Sequence, residues 1–290
     1  MTAYDLLLGP FVDFAFMRRA LVGAVVLSVG AAPIGVFLML RRMSLMGDAM
    51  AHAILPGAAI GFLVAGLDLM AMTVGGIVAG LVVVLLAGLV ARTTVLREDA
   101  SLASFYLISL AVGVVIVSLR GSSVDLMHVL FGTVLALDDD ALMFIAGIAT
   151  VSVAALALMW RLLVLECVDP GFLKVVAGFG APVHLAFLIL VVLNLVAGFQ
   201  ALGTLLAVGM MMLPAASSRF WARDVGSMAM VAVLIAVVSA VGGLLASFHL
   251  SLPSGPAIIL AAGVVHIASI GFGSAGGVLL RLLPVPHRAN

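Results

Sequence analysis

The sequence predicts an all-α, polytopic membrane protein of eight to ten spans, nine being favoured. Three observations lead there. The 290 residues are 65% hydrophobic and 9% charged. Apolar runs recur along the whole chain, and its few charges gather between them. A span needs ~20 mostly apolar residues, and lipid cannot satisfy open backbone groups, so each run is expected to be helical.

In chain order the expected spans are 21–40, 49–67, 69–91, 100–119, 141–160, 183–199, 204–218, 226–248 and 257–272. The second is weak at its start, where Asp48 and His52 interrupt the apolar run. The sixth and seventh are short enough to be tilted or broken. Gly75, Gly76 and Gly80 put small residues where membrane helices can approach closely. Residues 271–277, rich in glycine, read as a flexible exit from the last span, and the tail from Pro284 as disordered. The chain therefore divides into an extracytoplasmic segment 1–20, a transmembrane domain 21–273 and a cytoplasmic tail 274–290. A weak internal echo pairs Leu55-Pro56 and Ala58 with Leu213-Pro214 and Ala216.

Orientation follows from arginine and lysine, which accumulate on the inner side. With the N-terminus outside, the inner loops hold Arg41, Arg42, Arg92, Arg97, Arg161, Lys174, Arg219, Arg223, Arg281 and Arg288. Only Arg18, Arg19 and Arg120 face outward. Thirteen basic and thirteen acidic residues give zero net charge, and no basic stripe offers a nucleic-acid surface. Cys167 is the lone cysteine, so an intramolecular disulfide is excluded.

Asp48 and His52 are the most informative residues. Four apart on a helix, they share one face. Ionisable groups inside a membrane are costly and point to function. A carboxylate and an imidazole form half of a divalent-metal site. One chain supplies only two ligands; a two-fold axis would supply four. The alternative is that Asp48 caps the following helix and His52 bonds to a neighbour. Asp125 and His128, three apart, form a candidate outer gate or transient metal site, with an interfacial helix as the competing reading. Asp138, Asp139 and Asp140 read as a solvated loop in which Asp140 caps the fifth span. His184, His249 and His266 are expected in structural roles. The sixteen methionines are read as packing, and Asn194 and Gln200 as hydrogen-bonding between helices.

Residues 166–180 form the inner loop best suited to receive a partner. Asp169-Pro170 is a plausible helix start, because proline suits the first helical position.

The motif Arg41-Arg42-Met43-Ser44-Leu45-Met46-Gly47-Asp48-Ala49-Met50-Ala51-His52-Ala53-Ile54-Leu55-Pro56-Gly57 resembles the signature of permease subunits of zinc/manganese ABC importers. Further matches follow in family order: Arg97-Glu98-Asp99, the stretch from Gly121 through Asp125 and His128 to Gly132, Glu166-Cys167-Val168-Asp169-Pro170-Gly171-Phe172, Gln200 to Gly203, Leu213-Pro214, and Leu252-Pro253-Ser254-Gly255-Pro256. The resemblance covers roughly residues 15 to 270. It implies a type II ABC importer-like permease that pairs with a second copy of itself. It also implies a cytoplasmic ATP-binding-cassette ATPase dimer and an extracytoplasmic metal-binding protein as partners, in a bacterial inner membrane. The metal ligands would be Asp48 and His52. Glu166, Asp169, Pro170, Phe172 and Lys174 would couple to the ATPase. Many relatives carry an acidic residue where Gly171 stands. No tightly bound cofactor is implied; zinc or manganese is the cargo.

Two other functions compete. An autonomous metal/proton carrier would use Asp48 as a relay and need no ATPase. A membrane enzyme would need a nucleophile or acid/base cluster, which the sequence lacks. There is neither a phosphate-binding Gly-x-x-x-x-Gly-Lys loop nor a His-Glu-x-x-His motif, so the chain is expected not to be an enzyme.

Overall fold

The computed structural model describes residues 4, 7–66, 68–120, 137–169 and 180–279. A short helix α1 (Gly9–Asp13) leads into α2 (Ala15–Leu40). Then follow α3 (Met46–Ala53), α4 (Leu55–Ala65), α5 (Leu69–Thr93), α6 (Glu98–Arg120) and α7 (Asp139–Val168). The chain closes with α8 (Gly180–Leu202), α9 (Thr204–Ser218), α10 (Val225–Leu250) and α11 (Ser254–Phe272). There is no strand among the described residues.

Among the described residues, eight stretches are long and apolar enough to cross a membrane, α3 and α4 together forming one of them. The seventh expected span, α9, has 15 residues. At ~1.5 Å per residue it reaches ~22 Å, short of a ~30 Å hydrocarbon core. It survives because it is enclosed: Met210, Met211 and Ala215 are fully buried. The fifth and sixth spans are longer than the sequence suggested. In particular, α7 runs on to Val168, so Glu166 lies in a helix and not in a loop.

The interior is built around α2 and α8. In each, 67% of the spanning stretch is buried, against 17% in α6, which therefore belongs to the rim. Small residues set the spacing. A side chain at Gly35 of α2 would collide with the Met211 carbonyl of α9. Gly57 of α4 and Gly75 of α5 lie backbone to backbone, and a Cβ on either would enter the carbonyl of the other. Without a hydrophobic force between helices in lipid, such contact is what holds a hairpin together.

Helix ends follow local chemistry. Asp68 caps α5 by accepting from Met70 N at 2.8 Å, and Gly66, at φ +70, ends α4. The fifth span is capped by Asp138, which accepts from Ala141 N at 2.8 Å. Asp140, expected in that role, stands two residues past the cap, inside the helix. Asp224 caps α10 through Ser227 N at 2.8 Å. Those hydrogen bonds hold its carboxyl below the usual range, so the cap persists above that range and fades on acidification. Gly203, at φ 92, separates α8 from α9.

Two ion pairs show how the spans run. Arg19 Nε meets Asp139 Oδ1 at 2.8 Å near the starts of α2 and α7, and Arg41 Nη2 meets Glu166 Oε1 at 2.8 Å near their ends. The two helices are therefore parallel, as alternation of first and fifth spans requires. The glycine-rich exit is not free: Ala275 N donates to Phe220 O at 2.7 Å, and Gly277 N to Gly273 O at 2.8 Å.

Candidate metal site and an inner ionic cluster

The short helix α3 presents Asp48 in its first turn and His52 in its last. Met46, Gly47, Ala49, Met50, Ala51 and Ala53 are buried, which fixes the rest of the helix against its neighbours. Asp48 and His52 point away from that packing, with side chains 71% and 46% exposed. Asp48 Oδ1 and His52 Nε2 lie 3.8 Å apart, close enough to share one ion. No side chain caps α3, so Asp48 does not serve as a cap. Among the described residues no group of three or more His, Cys, Asp or Glu side chains could hold a metal. Among the described residues, a single chain thus offers this pair of candidate ligands without a third beside it.

Local sequence explains the presentation. Pro56 has no N–H, which interrupts the helical ladder after His52 and separates α3 from α4 at Ile54. The Ala53 carbonyl at this break accepts from Ser109 Oγ of α6 at 2.9 Å. Gly113, one turn on, lets α6 pack directly against Pro56. Sequence reasoning missed Ser109, since an isolated serine in an apolar helix usually bonds back to its own turn. Replacing Ser109 with Ala leaves a partly buried carbonyl unpaired beside the ligand pair. We expect a stability loss of about 1 kcal/mol. Thermal unfolding of the purified permease, compared with the unmodified protein, checks this.

Beside Asp48 lies a cavity of about 430 Å³, whose polar lining comprises Arg42, Ser44, Asp48, Asp99 and Tyr106. Arg42 has φ 60, a left-handed conformation that reverses the chain between α2 and α3. Asp99 is exposed and 3.7 Å from Arg97 Nε.

A second group of charges gathers at the end of the bundle to which the arginine count assigns the inner side. Arg41 closes α2, Glu98 opens α6, Glu166 lies in the last turn of α7, and His184 lies in the first turns of α8. Arg41 donates to Glu166 and to His184 Nδ1, and His184 Nε2 bonds to Glu98. The Arg41 guanidinium also lies 5.1 Å over the Phe187 ring. Arg41, Glu166 and His184 side chains are only 10%, 9% and 12% exposed. His184, expected in a structural role, was linked by its sequence context to none of these partners.

The remaining predicted residues divide clearly. Asp125, His128, Pro170, Phe172 and Lys174 lie outside the described residues. Asp169 ends α7, its N–H donating to Leu165 O at 2.8 Å. His266 Nδ1 is 3.0 Å from Ser217 Oγ, and Asn194 Nδ2 donates to Ser152 Oγ across helices at 2.6 Å. Met46, Met50, Met210 and Met211 belong to the packed core. Glu166, expected to face a partner, is instead occupied inside the chain.

The chain is thus an all-α, polytopic membrane protein with a carboxylate and an imidazole paired on a broken second span. The sequence pattern of the ABC 3 transport family matches residues 13–273, and the chain belongs to that family. It is 30% identical over 257 residues to the manganese import system permease protein ScaB of Streptococcus parasanguinis, covering 89% of this chain and 90% of that one. It is 31% identical over 270 residues to the chelated iron transport system membrane protein YfeD of Yersinia pestis, covering 92% and 88%. Among solved structures it resembles PsaBC from Streptococcus pneumoniae in complex with Fab, at TM-score 0.82 and 28% identity over 96% of this chain and 99% of that one. The all-α, polytopic fold expected from the sequence is the fold found.

Proposed function

We propose that this chain is the permease of an ATP-driven importer for a divalent transition metal in a bacterial inner membrane, working as a homodimer. The observation that carries this reading is the exposed Asp48–His52 pair on a helix otherwise buried. Two copies related by a two-fold axis contribute two carboxylates and two imidazoles. The carboxylates neutralise a divalent charge that would otherwise be costly to desolvate. Four oxygen and nitrogen ligands suit tetrahedral zinc, and added waters suit manganese. Relatives named for manganese and for chelated iron favour manganese or iron over zinc.

In this reading an ATPase dimer binds the inner side around residues 166–180, using Asp169, Pro170, Phe172 and Lys174. A metal-binding protein delivers the ion outside, where Asp125 and His128 form the gate. Residues 1–20 lie outside the cell and residues 274–290 inside it.

The test is uptake by proteoliposomes containing the permease, the ATPase and the binding protein, with manganese, zinc and ferrous iron offered separately. Uptake that requires ATP, with one ion preferred, is the expected result. Equal uptake without the ATPase would establish the autonomous carrier instead.

A further inference from the structure

We infer that Arg41, Glu98, Glu166 and His184 form a positioning network that ties movement at the inner ends of α7 and α8 to the metal-bearing helix α3. The inference rests on the importer reading above.

Three features support it. First, the four residues come from four different helices, and their side chains converge on one point. Arg41 Nη2 is shared between Glu166 Oε1 and His184 Nδ1, and the far ring nitrogen reaches Glu98. One protonation state satisfies these partners: Nε2–H donates to Glu98, and Nδ1 accepts from Arg41. Displacing any one helix end therefore disturbs all four.

Second, the cluster is poorly arranged for stability alone. Arg41 Nη1 and Glu166 Oε2 are buried with no hydrogen-bond partner among the described residues. Buried ion pairs with unused donors and acceptors stabilise less than well-packed apolar side chains. An unsaturated network can instead exchange partners when the helices shift.

Third, the network touches the ligand site at two points. Arg41 precedes Arg42, the left-handed residue that turns the chain into α3. Glu98 precedes Asp99, which lines the same cavity as Asp48. A displacement of α7 and α8 thus reaches α3 from the Arg41 side and the cavity wall from the Glu98 side. The buried Phe187 ring under the guanidinium holds Arg41 in place during such a shift.

The experiment compares the reconstituted complete importer, unmodified and with Glu166→Gln. It reads ATP hydrolysis, metal uptake and metal bound by the purified complex. We expect hydrolysis and binding to be retained while ions moved per ATP fall about fivefold or more, the usual size of a coupling between sites. Arg41→Lys, which keeps the charge but loses the two-sided fork, should fall in between. An unchanged ratio in Glu166→Gln overturns the inference, as does a parallel fall of uptake and hydrolysis. Should Glu166→Gln fail to assemble, Glu98→Gln alters the most exposed member; a wild-type ratio there overturns the inference equally. If the unmodified complex shows no ATP-dependent uptake, the importer reading itself fails, and this inference with it.

Discussion

Asp48→Ala abolishes uptake, with a loss of at least about 100-fold, and leaves assembly intact. In the proposed homodimer one substitution removes two of the proposed ligands and both neutralising charges. A divalent ion would then have to shed water in a low-dielectric pore with no compensating anion, which is prohibitively costly. The side chain is 71% exposed in the single chain and caps nothing, so folding does not depend on it. His52→Ala is the more discriminating variant. It keeps both carboxylates and removes the borderline imidazole nitrogen. Oxygen ligands suit manganese better than zinc, so zinc uptake should fall further than manganese uptake. Initial-rate uptake of each ion, with the amount of assembled complex measured in parallel, checks both expectations. Normal transport by both variants would make the pair structural and move attention to Asp125 and His128.

Gly57→Ala destabilises the permease by about 3 kcal/mol, at the upper end of overpacking effects. The new methyl would enter the Gly75 carbonyl and crowd Ala79, and backbone atoms cannot rotate aside as a flexible side chain can. Forcing α4 from α5 also disturbs the break at Ile54 on which the presentation of His52 depends. Gly88→Ala is the matching control: nothing lies within 4 Å of its added Cβ. There alanine should be neutral or stabilising by up to about 1 kcal/mol, its helix-propensity advantage over glycine. Thermal unfolding of the detergent-purified permease separates the two. Equal midpoints for both variants would mean that the α4–α5 contact is not held as described.

Much of this protein could be read from local pattern. Apolar run length located the spans, and the four-residue interval placed Asp48 and His52 on one face. Errors occurred where the pattern carries no length signal. The chain of α7 continues past Trp160 to Val168, and Glu166 within it pairs with Arg41, so charge did not mark the helix end. Asp138, not Asp140, became the cap because capping depends on which backbone turns first. The inner cluster was partly legible. Alternation of spans alone puts positions 41, 98, 166 and 184 at the same end of the bundle. Each is ionisable beside an apolar run, and that coincidence was the available signal.

By itself the sequence determined the helical, membrane-spanning class, since lipid leaves an apolar chain no other way to satisfy its backbone. It also put Asp48 and His52 on one helix face, where their side chains lie 3.8 Å apart. Only tertiary structure decided which distant polar groups meet. Ser109 with Ala53, and Arg41 with Glu98, Glu166 and His184, are joined by helix packing, which no local period encodes. Packing decided, too, that a helix as short as α9 can stand at the centre. Enclosure by its neighbours takes the place of the length that exposure to lipid would demand.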